Sequence, residues 1–266
     1  MGTLFRFDDM GQENTFFRIG QISDIHLVAG KPEKDGLNSV ESFERALSDA
    51  EKRNLDLLVF SGDLTEDSSK EEYDLFFKIV GNYSGSWCMI PGNHDNSEDL
   101  AKFSPFPLRV DGGEIFYRRT VNGFPFFFLD SSAGTISKRQ LEWLKSESAK
   151  ETGEIFLFAH HPPCLCGHLF MDSRYALKNW KEVGETLDGI GNLHSIFVGH
   201  YHSGMTIDRG AGQTVYVTPS TQMQLDPESS EFHILSRIPG WRLIEYSNGK
   251  LFTELRFLGE ENFDKS

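Results

Sequence analysis

The chain has 266 residues, of which 38% are hydrophobic and 25% charged, enough to fill the core of one large α/β domain. A formal net charge of -14 argues against broad binding to nucleic acid or to an anionic membrane, since both favour a basic face. No apolar run approaches the roughly 20 residues of a membrane span, and the odd count of 3 Cys argues against a disulfide scaffold.

The segment before Phe16 carries Asp8, Asp9 and Glu13 and lacks the apolar stretch of a secretory signal, so a soluble, cytoplasmic protein is expected. One domain covering 1–266 is expected, with a core from about residue 16 to 258 and short tails at both ends. The load of 23 Phe predicts extensive aromatic packing in that core.

In chain order, short apolar runs lead repeatedly into small polar clusters. Phe17–Ile22 leads into Ser23-Asp24-Ile25-His26, and Leu57–Phe60 into Ser61-Gly62-Asp63. Trp87–Ile90 leads into Pro91-Gly92-Asn93-His94-Asp95. Later, Ile155–Ala159 leads into His160-His161-Pro162-Pro163, and Ile196–Val198 into Gly199-His200-Tyr201-His202. Each run reads as a buried strand ending in a loop. Between them, Ser39–Arg53 places Val40, Phe43, Ala46, Leu47 and Ala50 on one helical face. Ser137 is positioned to cap a helix carrying Leu141 and Leu144, with Gln140 completing a capping box, and Asn179–Leu187 is a third helix. Asn122-Gly123, Gly210-Ala211-Gly212 and Asn248-Gly249 mark hairpins. The alternation implies a β-sheet, or two packed face to face, with helical layers.

Taken singly, each polar cluster reads as an ordinary turn or a solvated His. Together, all five follow predicted strands, and strand C-terminal ends gather along one edge of a parallel sheet. Folding would bring Asp24, His26, Asp63, Asn93, His160, His200 and His202 into one crevice. Carboxylate, amide and imidazole donors suit Mn, Fe or Zn, and the number of donors suggests two metals. One carboxylate can bridge cations roughly 3.5–4 Å apart. Gly62, Gly92 and Gly199 precede Asp63, Asn93 and His200 and leave room for tight turns. Two divalent cations would also reverse the local field, so an acidic chain can still hold a phosphate diester. His168, His194 and His233 have no comparable setting, and Cys164-Leu165-Cys166 is read as reduced thiols.

Asp24-Ile25-His26, Gly62-Asp63, Gly92-Asn93-His94-Asp95, His160 and Gly199-His200-Tyr201-His202 resemble, in order, the five motifs of the calcineurin-like metallophosphoesterases, over about Ile19 to Phe257. The resemblance implies a four-layer αββα sandwich with two mixed β-sheets. It further implies that Asp24, His26, Asp63 and His202 hold one metal and that Asp63, Asn93, His160 and His200 hold a second, with Asp63 bridging. His160 is preferred to His161 because Leu157-Phe158-Ala159-His160 matches the family's pattern. His94 is expected as the catalytic acid with Asp95 orienting it or capping the loop, and Asn93, His94 and His161 at the substrate.

Thr218–Gln224, Ile238–Arg242, Met171-Asp172 and Asn179 are similar to segments of bacterial class III cyclic AMP phosphodiesterases. The expected reaction is therefore hydrolysis of 3',5'-cyclic AMP or a related cyclic nucleotide to 5'-AMP, with water activated by the two metals attacking phosphorus in line. Glycerophosphodiesters or other small diesters are the alternative substrates. The expected partner is that small diester alone, with no nucleic acid and no membrane, and the protein is expected as a monomer or homodimer.

Overall fold

The structure, a computed structural model, describes residues 16–30 and 38–259; both expected tails lie outside the described residues. The elements are β1 (Phe16–Ile22), α1 (Ser39–Glu51), β2 (Leu57–Ser61), α2 (Lys70–Val80), β3 (Trp87–Ile90), α3 (Ser97–Phe103), β4 (Tyr117–Val121), β5 (Phe124–Phe128) and α4 (Lys138–Ser148). They continue as β6 (Ile155–Phe158), α5 (Leu169–Arg174), α6 (Trp180–Asp188), β7 (Leu193–Val198), β8 (Met205–Gly210), β9 (Gln213–Val217), β10 (Gln224–Leu225), β11 (Ile234–Ser236), β12 (Gly240–Ser247) and β13 (Lys250–Phe257).

Two mixed sheets form, one of 5 strands in the order β13-β12-β1-β2-β3 and one of 6 in the order β4-β5-β6-β7-β9-β8. β1, β2 and β3 are mutually parallel, as are β5, β6, β7 and β9; the remaining pairings at the sheet edges are antiparallel. Side chains alternate across each strand, so each strand feeds two cores. Phe17, Ile19, Leu57 and Val59 from the first sheet meet Phe126, Phe128, Phe156 and Phe158 from the second. The Phe17 ring stands edge-on to Phe126 and Phe156, with centroids 5.0 and 4.9 Å away. The intervening residues face outward. Leu58 and Phe60 pack under Phe43, Ala46 and Phe76 of α1 and α2, and Phe127 and Leu157 under Leu141, Leu144, Val183 and Leu187 of α4 and α6. The result is the αββα sandwich, with the phenylalanines concentrated where sheet meets sheet.

Local signals explain most boundaries. Asn122-Gly123 and Asn248-Gly249 hold positive φ at both positions, matching the twist of the hairpins they close. Ser137 caps α4 as expected, accepting from Gln140 N, but the capping box is not formed. The buried Gln140 side chain instead accepts from Asp130 N and donates to Asp130 O and Glu114, so tertiary partners take the group that the local motif would have used. The capping box that does form, Ser69 with Glu72, starts α2, a helix the sequence analysis left unassigned. No helix among the described residues is long and apolar enough to cross a membrane.

Candidate metal centre

The loops after β1, β2 and β3 in one sheet and after β6 and β7 in the other carry the expected residues. The site therefore straddles the C-terminal ends of parallel strands from two sheets, not one. The loops are stitched together before any side chain is considered. Ile25 N and His26 N both donate to Asp63 O, at 2.8 and 2.9 Å, Asp24 N donates to Gly62 O, and Gly199 N donates to His160 O. A Cβ on Gly92 would collide with Asp63 N and Oδ1, and one on Gly199 with Ser23 Oγ, so close loop approach requires glycine at both positions.

Asp24, His26, Asp63, His200 and His202 all have positive φ, between 46° and 68°. Non-glycine residues in this region are strained by about 1–3 kcal/mol each and persist only where the surroundings fix them. Half of the ten positive-φ non-glycine residues among those described are expected ligands, which concentrates strain at this one locality.

Three groups of donor atoms lie within 4.8 Å of one another: Asp24–His26–His202, His26–Asp63–His94 and Asp63–His160–His200. Asp63 and His26 each belong to two of them, and His94 joins the group that these two share. The imidazole tautomers are set from outside. His160 Nδ1 faces Ser61 O at 2.8 Å and His200 Nε2 faces Tyr175 O at 2.9 Å; a carbonyl can only accept, so both nitrogens carry hydrogen. His26 Nδ1 lies 2.9 Å from Glu66 Oε2. The inward Nε2 atoms of His26 and His160 are thereby turned to Asp63 Oδ2, at 3.6 and 3.2 Å. His26 Nε2 and His202 Nε2 approach to 3.2 Å, and His160 Nε2 lies 3.2 Å from Asp63 Oδ2 without a hydrogen-bonding partner. Converging buried lone pairs beside two buried carboxylates, with outer nitrogens tied to oxygen acceptors, is the arrangement that holds divalent cations. These residues fit a metal pair. His202 lacks an outer support, since its Nδ1 is buried without a partner.

Electrostatics of the chain agree. Burial drives His200 down to about 3 and His202 well below its usual range, keeping both rings neutral as ligands must be. Burial opposes ionisation of Asp63, but the His160 ring beside it holds the carboxyl well below its usual value. His160 is correspondingly pushed up to about 9 against its own burial by the Asp63 charge: a proton there does the work of a cation. Burial raises Asp24, whose carboxylate also accepts from His200 N at 3.0 Å.

The remaining expected residues fall as follows. His94 is part-exposed, its ring edge-on to His26 at 4.7 Å, its N–H donating to Asp63 Oδ1 and its Nδ1 2.9 Å from Glu66 O. Asn93 is exposed and lines the same cavity as His94. His161 is buried, bonded through Nδ1 to Ser131 and packed on the His200 ring at 4.0 Å, behind the cavity wall. Asp95 does not orient His94. Its buried carboxylate accepts from Leu64 N, Thr65 N, Thr65 Oγ1 and Gly92 N, tying the loop of Asp63 to the loop of Asn93. The loop-cap role is the one it fills, because five donors, Tyr73 Oη included, surround it and none belongs to His94.

Sequence reasoning missed Glu66, which supports His26 and lies 3.7 Å from His94 Nδ1. Its spacing of three after Asp63 was the only available signal. It also missed the purpose of Thr218–Gln224: Gln222 Nε2 donates to Ile25 O and His26 O, and Ser220 Oγ to Asp24 O, bracing the first ligand loop. Asp172 holds Cys166 N, Gly167 N and Tyr201 Oη, and Asn179 bonds Ile136, so both build loops.

Residues 17–204 match the calcineurin-like phosphoesterase family. The chain belongs to that family. This phosphoesterase is 46% identical over 245 residues to a protein of Fibrobacter succinogenes named as a probable cyclic nucleotide phosphodiesterase, covering 92% of this chain and 95% of that one. It is 32% identical over 262 residues to the 3',5'-cyclic adenosine monophosphate phosphodiesterase CpdA of Escherichia coli, covering 92% and 91%. Among solved structures, a dimetal phosphatase from Danio rerio superposes with a TM-score of 0.69 at 15% identity, covering 91% of this chain and 96% of the other, a likeness of fold.

Proposed function

We propose that this phosphoesterase is a dinuclear-metal phosphodiesterase that hydrolyses 3',5'-cyclic AMP, or a related cyclic nucleotide, to 5'-AMP. The observation that carries the reading is the convergence of three His/Asp donor groups, two of them sharing Asp63, beside a cavity of about 1540 Å3 lined by His26, Asp63, His94, His200 and His202. The names of the two relatives support the cyclic-nucleotide substrate.

In this reading Asp24, His26, Asp63 and His202 hold one cation, and Asp63, Asn93, His160 and His200 the other. Bound Fe, Mn or Zn would neutralise charge on the phosphoryl oxygens and acidify water. The chain supplies the rest. Glu66 and the Ser61 and Tyr175 carbonyls fix the ligand rings so that little reorganisation accompanies reaction. His94 is held by the Glu66 carbonyl with its ring in the cavity, where it can give a proton to the departing O3' alkoxide. The acidic surface does not repel the diester once the centre is loaded, because local positive charge outweighs distant carboxylates at the spacing of the Debye length, about 8 Å.

The test is a substrate panel on metal-reconstituted enzyme: cyclic AMP, cyclic GMP, glycerophosphocholine and bis-p-nitrophenyl phosphate. Cyclic AMP or cyclic GMP should give the highest kcat/KM among the natural diesters; a preference for glycerophosphocholine overturns the reading. His94→Ala should retain both metals and lose about 10²–10⁴-fold in kcat on cyclic AMP, much less on bis-p-nitrophenyl phosphate, whose leaving group needs little protonation. Unchanged cyclic AMP turnover removes His94 from the mechanism.

A further inference from the structure

A diester phosphate at Asp63 fills one corner of the cavity, and the rest of the lining differs from place to place. The part formed by the start of α1 is polar and acidic, with Asn38, Glu41 and Glu44. The part formed by α5, Tyr175 and the stretch from Met223 to Phe232 is apolar, with Phe170, Met171, Met223 and Phe232. Within that part, Phe170 is 6% exposed, whereas Tyr175 and Phe232 are 50% and 55% exposed. Phe170 stands between them as a post, its ring 5.5 Å from Tyr175 and 5.9 Å from Phe232, with the Arg174 guanidinium 4.8 Å from its centroid. Arg174 is itself tied to Glu231 at 3.1 Å. Two large rings are thus supported from beneath and left open toward the cavity.

Their position relative to the chemistry is fixed by one residue. The Tyr175 carbonyl accepts from His200 Nε2 at 2.9 Å, so the same residue that orients a metal ligand presents its ring to the cavity. A flat group attached to a phosphate bound at the metals shares one cavity with that ring. Flat, apolar and polar-edged is the description of a nucleobase, and aromatic rings accept any base through its π-face.

We infer that Tyr175 and Phe232 form the platform on which the nucleobase packs, and that this platform, rather than the metal ligands, gives preference for nucleotides over base-free diesters. The inference rests on the cyclic-nucleotide reading above and deepens it. Every diester binds the cations through the same phosphoryl oxygens, so discrimination among diesters must come from groups that touch what the phosphate carries. Tyr175 and Phe232 are specificity-determining residues, while His26, His200 and Asp63 serve all substrates alike. Burial of Phe170 and its contact with Arg174 keep the platform from collapsing when no base is present.

The experiment measures direct binding of 5'-AMP and of ribose 5-phosphate to the metal-loaded protein by titration calorimetry, for wild type, Tyr175→Ala, Tyr175→Phe and Phe232→Ala, with metal content determined for each. Wild type should bind 5'-AMP more tightly than ribose 5-phosphate. Tyr175→Ala and Phe232→Ala should weaken 5'-AMP by roughly 5- to 150-fold, the range that losing one base-stacking ring costs, while ribose 5-phosphate holds its affinity. Tyr175→Phe should bind 5'-AMP as wild type does. Phe232→Ala decides the matter if Tyr175→Ala also disturbs His200 and lowers metal content. Equal affinity of wild type for the two ligands, or parallel weakening of both in Phe232→Ala, overturns the platform. Failure of the substrate reading shows elsewhere, as absence of cyclic AMP turnover by a wild type that still discriminates the two ligands.

Discussion

Replacing Asp95 separates a clamp from a catalytic partner. Its carboxylate receives Leu64 N and Gly92 N on Oδ2, at 3.0 and 2.9 Å, and Thr65 N and Oγ1 on Oδ1, at 3.2 and 3.0 Å. Asp95→Ala leaves three backbone donors without an acceptor in a site that is 6% exposed. A buried unsatisfied donor costs about 1–3 kcal/mol, and water entering the vacated space recovers part of that, so a loss of about 3–5 kcal/mol is expected. Asp95→Asn keeps one acceptor and turns an N–H₂ toward donors on the other side, so about 2 kcal/mol is expected. Both donor sets lie on the loops of Asp63 and Asn93, so metal content should fall with stability. The assay is urea denaturation of the metal-free variants together with metal analysis after reconstitution. If Asp95→Asn keeps wild-type stability and metal content yet slows cyclic AMP turnover as His94→Ala does, the clamp is refuted and Asp95 acts through His94.

Glu66→Ala removes the acceptor for His26 Nδ1–H and should weaken metal binding about 10–100-fold in a metal titration, whereas Glu66→Gln, which keeps an acceptor oxygen, should largely restore it. Gly92→Ala drives a methyl into Asp63 N and Oδ1; a loss of about 1–3 kcal/mol in denaturation is expected, with reduced metal stoichiometry because Asp63 must move. Far from the centre, Asp49 accepts from Trp241 Nε1, Arg256 Nε and an Arg53 guanidinium N–H, at 3.1, 2.8 and 3.0 Å. Burial opposes its ionisation, but Arg256 and Arg53 hold the carboxyl below its ordinary 3.8. A depressed acid stabilises the fold above its unfolded value and loses that contribution as pH falls through the folded value. Asp49→Asn should therefore cost about 1–2 kcal/mol at pH 7, with the gap to wild type closing only below about pH 3.8. A gap independent of pH down to the acid transition refutes the assignment.

Much of the candidate site was legible because its Asp and His residues sit directly after strands, and strands announce themselves as apolar runs. Leu57–Phe60 before Gly62-Asp63, and Ile196–Val198 before Gly199-His200, need no long-range information to be read. What local pattern missed were groups acting across the chain. Gln140 fits a capping box by spacing, yet its side chain turns to Asp130 and Glu114. Asp95 follows His94 in sequence, yet its carboxylate is 30 residues from its partners at Thr65.

Residue identity and short spacing were enough to nominate the candidate donors, carboxylates and imidazoles at five strand ends. The sequence by itself determined that the core would be aromatic as well. That the candidate ligand loops come from two sheets rather than one followed from strand pairing, which is chosen by contacts between distant segments. The tertiary structure alone assigned the outer nitrogens of His26, His160 and His200 to Glu66, Ser61 and Tyr175, because a hydrogen bond depends on distance and angle between groups that chain order leaves far apart. It alone set Tyr175 and Phe232 about one buried Phe170, a juxtaposition that their separation along the chain could not reveal.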